Sequence, residues 1–203
     1  EWERLQALRK RMPHGLLLKG AKGIGKLDLA LSYAQSLLCE SPNEAQFACG
    51  TCPSCHWFSQ GSHPDFRFIQ PEALSEGDAI KPASGKKPSK QISVDQIRGL
   101  SDFFGMTAHQ GGKRVVILHP AEAMNTNAAN ALLKNLEEPP QGLLIILVSH
   151  KPQQLLPTIL SRCQSFALPT PDAASAIKWL KEQGVADPDK AFAASGFSPL
   201  LAL

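Results

Sequence analysis

Apolar runs of strand length alternate along this chain with longer stretches in which apolar residues return every three or four positions. The short runs predict strands at 16–19, 66–70, 115–118, 143–149 and 164–168, with helices between them. Leu27, Leu31, Ala34 and Leu38 share one face of a helix over 26–38. Val94, Ile97, Leu100 and Phe104 form the buried stripe of another over 94–104, with Ser93 at the N-cap position. A further helix is expected over 127–136, ended by Glu137-Glu138-Pro139-Pro140. Strands and helices in alternation build a parallel sheet covered on its faces by helices, so the fold class is α/β, with five strands.

After Leu168 the pattern changes. Pro169-Thr170-Pro171 opens a stretch without strands, in which 172–183 and 187–194 read as short helices and a third begins near Ser198. The expected organisation is an α/β domain over 1–168 followed by a small all-α domain over 169–203, itself expected to be truncated. Between 71 and 90, prolines, glycines and serines accumulate with Lys81, Lys86, Lys87 and Lys90. That composition predicts a mobile surface loop whose lysines are solvated.

Composition narrows the function classes only modestly. A chain of 203 residues with 43% hydrophobic and 19% charged content is long enough, and ordinary enough, to bury a core as a globular protein. A formal net charge of +3 does not by itself imply nucleic-acid binding. No apolar run approaches the ~18 residues of a membrane span, and no secretory pattern opens the chain, so a cytoplasmic location is expected.

The segment Gly20-Ala21-Lys22-Gly23-Ile24-Gly25-Lys26 stands between the first strand and the first helix, with the spacing of a phosphate-binding loop. In a working loop the backbone N–H groups and the lysine hold the phosphates, and a Ser or Thr after the lysine holds magnesium. Here that position is Leu27, which offers the ion nothing. Gly20, Gly23, Gly25, Lys26 and Leu27 therefore read as a vestigial nucleotide site with its strand-to-helix turn preserved, still capable of weak phosphate binding through Lys26 and the loop amides.

Four of the five cysteines fall within 39–55. Cys49, Cys52 and Cys55 form CxxCxxC, and Cys39 stands ten residues before Cys49. In a reducing compartment such clusters hold metal more often than they pair as disulfides. Four thiolates close a tetrahedron around one zinc ion and leave no open position, which makes the site structural. An iron–sulfur cluster takes the same ligands, but nothing in the sequence suggests an electron-transfer partner. His56 adjoins Cys55 as a spare ligand.

Asn130-Ala131-Leu132-Leu133-Lys134-Asn135-Leu136-Glu137-Glu138-Pro139-Pro140, followed by Leu160-Ser161-Arg162-Cys163, resembles the bacterial clamp-loader branch of the AAA+ ATPases. Together with the altered P-loop and the cysteine module, the resemblance runs from Gly15 to Leu203. It implies an AAA+ P-loop fold with a zinc-binding insertion, then a helical lid, with the C-terminal collar domain of the family absent from this chain. It implies a subunit of the DNA polymerase III clamp loader, which uses ATP to place a sliding clamp on primed DNA. The implied partners are the gamma/tau and delta subunits, with the clamp and primer-template DNA reached through the complex. No membrane partner is implied, and the isolated chain is expected to be monomeric.

Against the active members of that branch, several positions differ. After the strand at 115–118 they carry Asp-Glu, where this chain has His119-Pro120; Glu122 lies beyond and is expected to point elsewhere. The sensor position falls on Ser149-His150, and the lid Gly-Ser-x-Arg pattern aligns with Phe197-Ser198-Pro199-Leu200. The resemblance thus implies a non-hydrolysing subunit. On the residues alone, Arg162 fits a loop cap or a surface ion pair. The Ser-Arg-Cys match implies instead an arginine finger acting in trans on a neighbour's ATP, with Cys163 a buried apolar residue. The alternatives are an active gamma/tau-like ATPase subunit, which Leu27 and His119-Pro120 oppose, and a zinc-containing interaction module outside replication.

Overall fold

The five apolar runs form one parallel sheet in the computed structural model of the chain, which describes residues 1–75, 87–105 and 112–203. β1 (Gly15–Lys19), β2 (Phe66–Ile69), β3 (Arg114–Leu118), β4 (Leu143–Ser149) and β5 (Gln164–Ala167) stand in the order β2-β3-β4-β1-β5. β3 and β4 are buried along their whole length. Strands covered on both faces have no solvent side to mark with polar residues, which is why these two read as unbroken apolar runs. β5 is an edge strand and buries only Phe166.

Successive residues of a strand point to opposite faces, and the core divides accordingly. On one face Leu17, Val116, Ile145 and Leu147 pack against α4 (Val94–Arg98), α5 (Ser101–Gly105), α6 (Thr126–Glu137) and α7 (Pro157–Leu160) through Ile97, Phe104, Leu132, Leu136 and Ile159. On the other, Leu16, Leu18, Ile117, Ile146 and Val148 meet α1 (Trp2–Ala7) and α2 (Lys26–Leu38) through Leu5, Ala30, Tyr33, Ala34 and Leu37. α3 (Pro53–Ser59) carries the last cysteine of the cluster and packs beside α2.

The helix expected over 94–104 is two helices. Ser93 and Gln96 form a reciprocal capping box at the start of α4, and Gly99 ends it before α5 begins at Ser101. Ile97, Leu100 and Phe104 are all buried, so the apolar period identified the core face but not the break. The lysine-containing loop falls partly on positions 76–86, outside the described residues; Lys87 and Lys90 are exposed.

Beyond β5, α8 (Ala173–Glu182) and α9 (Pro188–Ala194) are capped by the carboxylates of Asp172 and Asp187 and close a small cluster of their own around Ala176, Leu180 and Phe192. A short 3₁₀ turn, Pro199–Leu201, follows. Among the described residues, no helix is long and apolar enough to cross a membrane.

Candidate functional site

In a parallel sheet all strands end at one edge, so the residues that follow β1, β3 and β4 meet there. The register Lys19↔Ser149 and Leu118↔Leu147 brings the glycine loop, His119 and His150 around a cavity of about 200 Å³, into which Leu200 and Leu201 also project. Lys26, the first residue of α2, is buried and donates from Nζ to the carbonyl of Ala21 in its own loop. Burial pulls its pKa down to about 8, against the opposing field of Glu122. Leu27 lines the same cavity and packs on the helix-side core, where a magnesium ligand would need a hydroxyl.

The two histidines stand edge to face, 5.3 Å between centroids. Burial pushes both below the ordinary histidine pKa, His150 to about 4, and the charge of Lys26 adds to the effect. Glu122 does not point elsewhere: it turns into this edge, and its Oε1 accepts from the backbone N–H of His150 at 3.0 Å. One carboxylate oxygen is thereby committed to the end of β4.

The loop is also engaged from above by the far end of the chain. Ser198 Oγ donates to the Lys22 carbonyl at 2.5 Å, and the Leu200 N–H donates to the Gly23 carbonyl at 3.0 Å. Gly23 has φ +78°, and a Cβ placed on it would lie 2.6 Å from Leu201 Cγ. Only glycine accepts both the backbone angle and that approach. The C-terminal turn therefore packs apolar side chains onto the loop.

The four cysteine sulfurs lie within 4.8 Å of one another. Pairs measure 3.6 Å (Cys39–Cys49), 3.9 Å (Cys39–Cys52) and 4.0 Å (Cys49–Cys55). A tetrahedron with metal–sulfur bonds of about 2.3 Å has edges of about 3.8 Å, so the donor set fits one four-coordinate ion. Backbone N–H groups of Cys49, Cys52 and Cys55 point at the sulfurs of Cys39, Cys49 and Cys52. Such bonds favour thiolates: hydrogen bonds from Thr51 and Cys52 draw Cys49 down to about 6. Burial pushes Cys55 up to about 12. A cation bound by all four sulfurs would hold both kinds ionised together. His56 is not among these ligands; it is exposed and its Nε2 lies 3.0 Å from Gln60 Nε2. The module is tied to α2 by Ser54, whose hydroxyl donates to the Leu38 carbonyl at 2.6 Å and pairs with buried His63 at 2.8 Å.

Arg162 lies at the other end of the sheet. It stands between α7 and β5, with only Cys163 before the strand begins, and a Cβ on Gly15, the first residue of β1, would sit 3.3 Å from its carbonyl. The loop is at the last residue of β1, so at about 3.3 Å per residue the length of the strand separates them. The side chain is 35% exposed, and its guanidinium pairs with Glu137 through Nη2 at 2.8 Å and donates from Nη1 to the Thr158 carbonyl at 3.0 Å. The surface ion pair that the residues alone suggested is thus present. Cys163 is buried, and burial alone pushes its thiol up to about 11, as for an inert core residue.

A family model described as DNA polymerase III, delta subunit, matches residues 3–172, most of the chain. The chain belongs to that family. Among its relatives, the DNA polymerase III subunit delta' of Pseudomonas aeruginosa is 45% identical over 99% of this chain and 58% of its own length. The delta' subunit of Bacillus subtilis is 38% identical over 76% and 42%, and that of Escherichia coli 35% over 89% and 50%. The chain thus spans about half the length of these relatives. Among solved structures, a DNA polymerase III gamma subunit-related protein of Thermotoga maritima superposes with a TM-score of 0.60 at 24% identity, over 97% of this chain and 57% of its own. The RuvB Holliday junction branch migration motor of the same organism gives 0.55 at 14%, over 98% and 55%. These likenesses establish an AAA+ fold for the five-stranded sheet and its helices.

Sequence reasoning found the loop, the cysteines and Arg162, named Glu137, Glu122 and Ser198 without their partners, and missed Leu201. Each of the four acts through a contact distant in sequence. Ser198 and Lys22 are 176 positions apart, and no local period carries such a signal.

Proposed function

We propose that this chain is the AAA+ portion of a non-hydrolysing delta' subunit of the DNA polymerase III clamp loader, supporting ATP-dependent placement of the sliding clamp on primed DNA. Its partners are the gamma/tau and delta subunits, with clamp and DNA reached through the assembly, and its location is the cytoplasm. Residues 1–168 form the P-loop-like domain with the cysteine module at 39–55, and 169–203 the helical lid. The module holds one structural zinc ion through Cys39, Cys49, Cys52 and Cys55. Gly20, Gly23, Gly25, Lys26 and Leu27 are the remnant of a nucleotide site, and Arg162 is an arginine finger in trans.

One observation supports this reading: Arg162 is exposed at the end of the sheet opposite its own P-loop, so any phosphate it reached would belong to another molecule. A planar, permanently charged guanidinium suits the charge spread over transferring phosphate oxygens. Fingers of this kind accelerate phosphoryl transfer by about 10³ to 10⁵. The active-ATPase alternative needs a hydroxyl at Leu27 and carboxylates at His119-Pro120, and has neither.

The test is reconstitution of the full-length subunit with its loader partners. Arg162→Ala is expected to leave assembly intact and to suppress DNA- and clamp-stimulated ATP turnover at the site it serves. Turnover equal to that of the unmodified assembly would refute the finger.

A further inference from the structure

Leu136 and Cys163 are packed side by side beneath the surface: a Cβ on Gly15 would lie 2.9 Å from Leu136 Cδ2 and 2.9 Å from Cys163 Sγ. Both residues are buried. Their neighbours in sequence, Glu137 at the end of α6 and Arg162 before β5, are thereby brought together at the surface, where Glu137 Oε1 meets Arg162 Nη2 at 2.8 Å. The pair therefore joins two elements that the core already holds in register. Half-exposed ion pairs of this kind contribute little to folding stability.

What the pair supplies is direction. Nη1 donates to the Thr158 carbonyl at 3.0 Å and to Ser161 Oγ at 3.4 Å, while Nη2 lies 2.8 Å from Glu137 Oε1 in an ion pair. The guanidinium is held by both terminal nitrogens, on a side chain with four rotatable bonds that would otherwise sweep a wide arc. Nε keeps no partner among the described residues and Nη2 faces Glu137 alone, so donors remain for oxyanions.

We propose that Glu137 is a positioning residue for Arg162, fixing the guanidinium plane so that its remaining donors face the phosphate of an adjoining subunit. The proposal rests on the reading of Arg162 as a finger. A finger that is already oriented loses less rotamer freedom when the phosphate arrives, so the benefit appears in the chemical step rather than in nucleotide binding.

The experiment uses the full-length subunit reconstituted in its loader, comparing Glu137→Ala, Glu137→Gln, Arg162→Ala and the double variant Glu137→Ala/Arg162→Ala for DNA- and clamp-stimulated ATPase. Glu137→Ala is expected to lower kcat at the served site roughly tenfold with KM for ATP unchanged. Glu137→Gln, which keeps an acceptor oxygen at the same reach, recovers most of that loss. The double variant turns over no more slowly than Arg162→Ala alone, because a positioning residue has nothing left to position. Thermal melts of each variant separate these effects from unfolding, and if Glu137→Ala melts early, Glu137→Gln against Arg162→Ala carries the comparison. Glu137→Ala turnover equal to or above that of the unmodified assembly, or losses that add in the double variant, would overturn the proposal while leaving the finger intact. If Arg162→Ala itself has no effect, the finger reading falls and this proposal with it.

Discussion

The two ends of one sheet have diverged in this chain. At the edge where β1, β3 and β4 finish, the P-loop glycines survive, but the lysine is bonded to its own loop, the hydroxyl position is Leu27, and the C-terminal turn sits on Gly23. At the opposite edge Arg162 stands half-exposed, anchored by Glu137 and the Thr158 carbonyl, with donors to spare. Gly23 at the first edge is explained by the turn that packs on it, whereas the arginine at the second has no structural duty that an exposed ion pair would not discharge weakly.

The largest perturbation acts on the helix that links the P-loop to the cysteine module. Cys39 follows the last residue of α2, so stripping metal with a strong chelator should release the module and fray that helix from its far end. Structural zinc sites contribute on the order of 10 kcal/mol to folding, so the metal-free chain should melt far below the holo form. Elemental analysis should find one zinc per chain, and iron in its place would remove the zinc assignment. The Arg162 edge lies outside the module, and amide exchange there should change less than along α2.

Next in size is Gly23→Ala. The left-handed backbone costs about 1–2 kcal/mol for any residue with a Cβ, and the approach of Leu201 adds to it. A lower midpoint in urea is expected, along with a change in the fluorescence of Trp179, which shares an apolar cavity with Gly25 and Leu200. A neutral substitution would mean that the turn does not rest on the loop.

A smaller effect distinguishes the edges by pH. Burial holds His150 near 4 and His119 below its ordinary value, so the unfolded chain binds more protons than the folded one beneath about 6.5. Stability is then full above that pH and is lost as pH falls toward about 4. His150→Gln should flatten that slope in thermal melts; an unchanged slope would place the titration elsewhere. The smallest expected change is none at all. Leu27→Thr restores the missing hydroxyl, but with His119 and Leu200 in place the isolated chain should still show no ATP hydrolysis, and measurable turnover would reopen the ATPase reading.

Most of the scaffold was legible in the sequence because strands buried on both faces leave a strong local mark. The expected β4 and the observed one coincide at 143–149, and the other four differ by a residue at one end. The cysteines were legible because their ligand spacing is itself local. The break at Gly99 escaped because apolar periodicity reports the side that faces the core, not the continuity of the backbone that presents it. The contacts of Glu122 and Glu137 escaped for a different reason: each carboxylate finds a partner on another element, His150 and Arg162 respectively, and only the folded chain reveals the meeting.

The contrast between the two edges is tested most directly in the reconstituted loader by paired substitutions, Lys26→Met in the P-loop and Arg162→Ala at the far edge. Stimulated ATP turnover should be unchanged by Lys26→Met and strongly depressed, at the site served, by Arg162→Ala. Loss of turnover with Lys26→Met, combined with normal turnover in Arg162→Ala, would contradict the assignment of both ends.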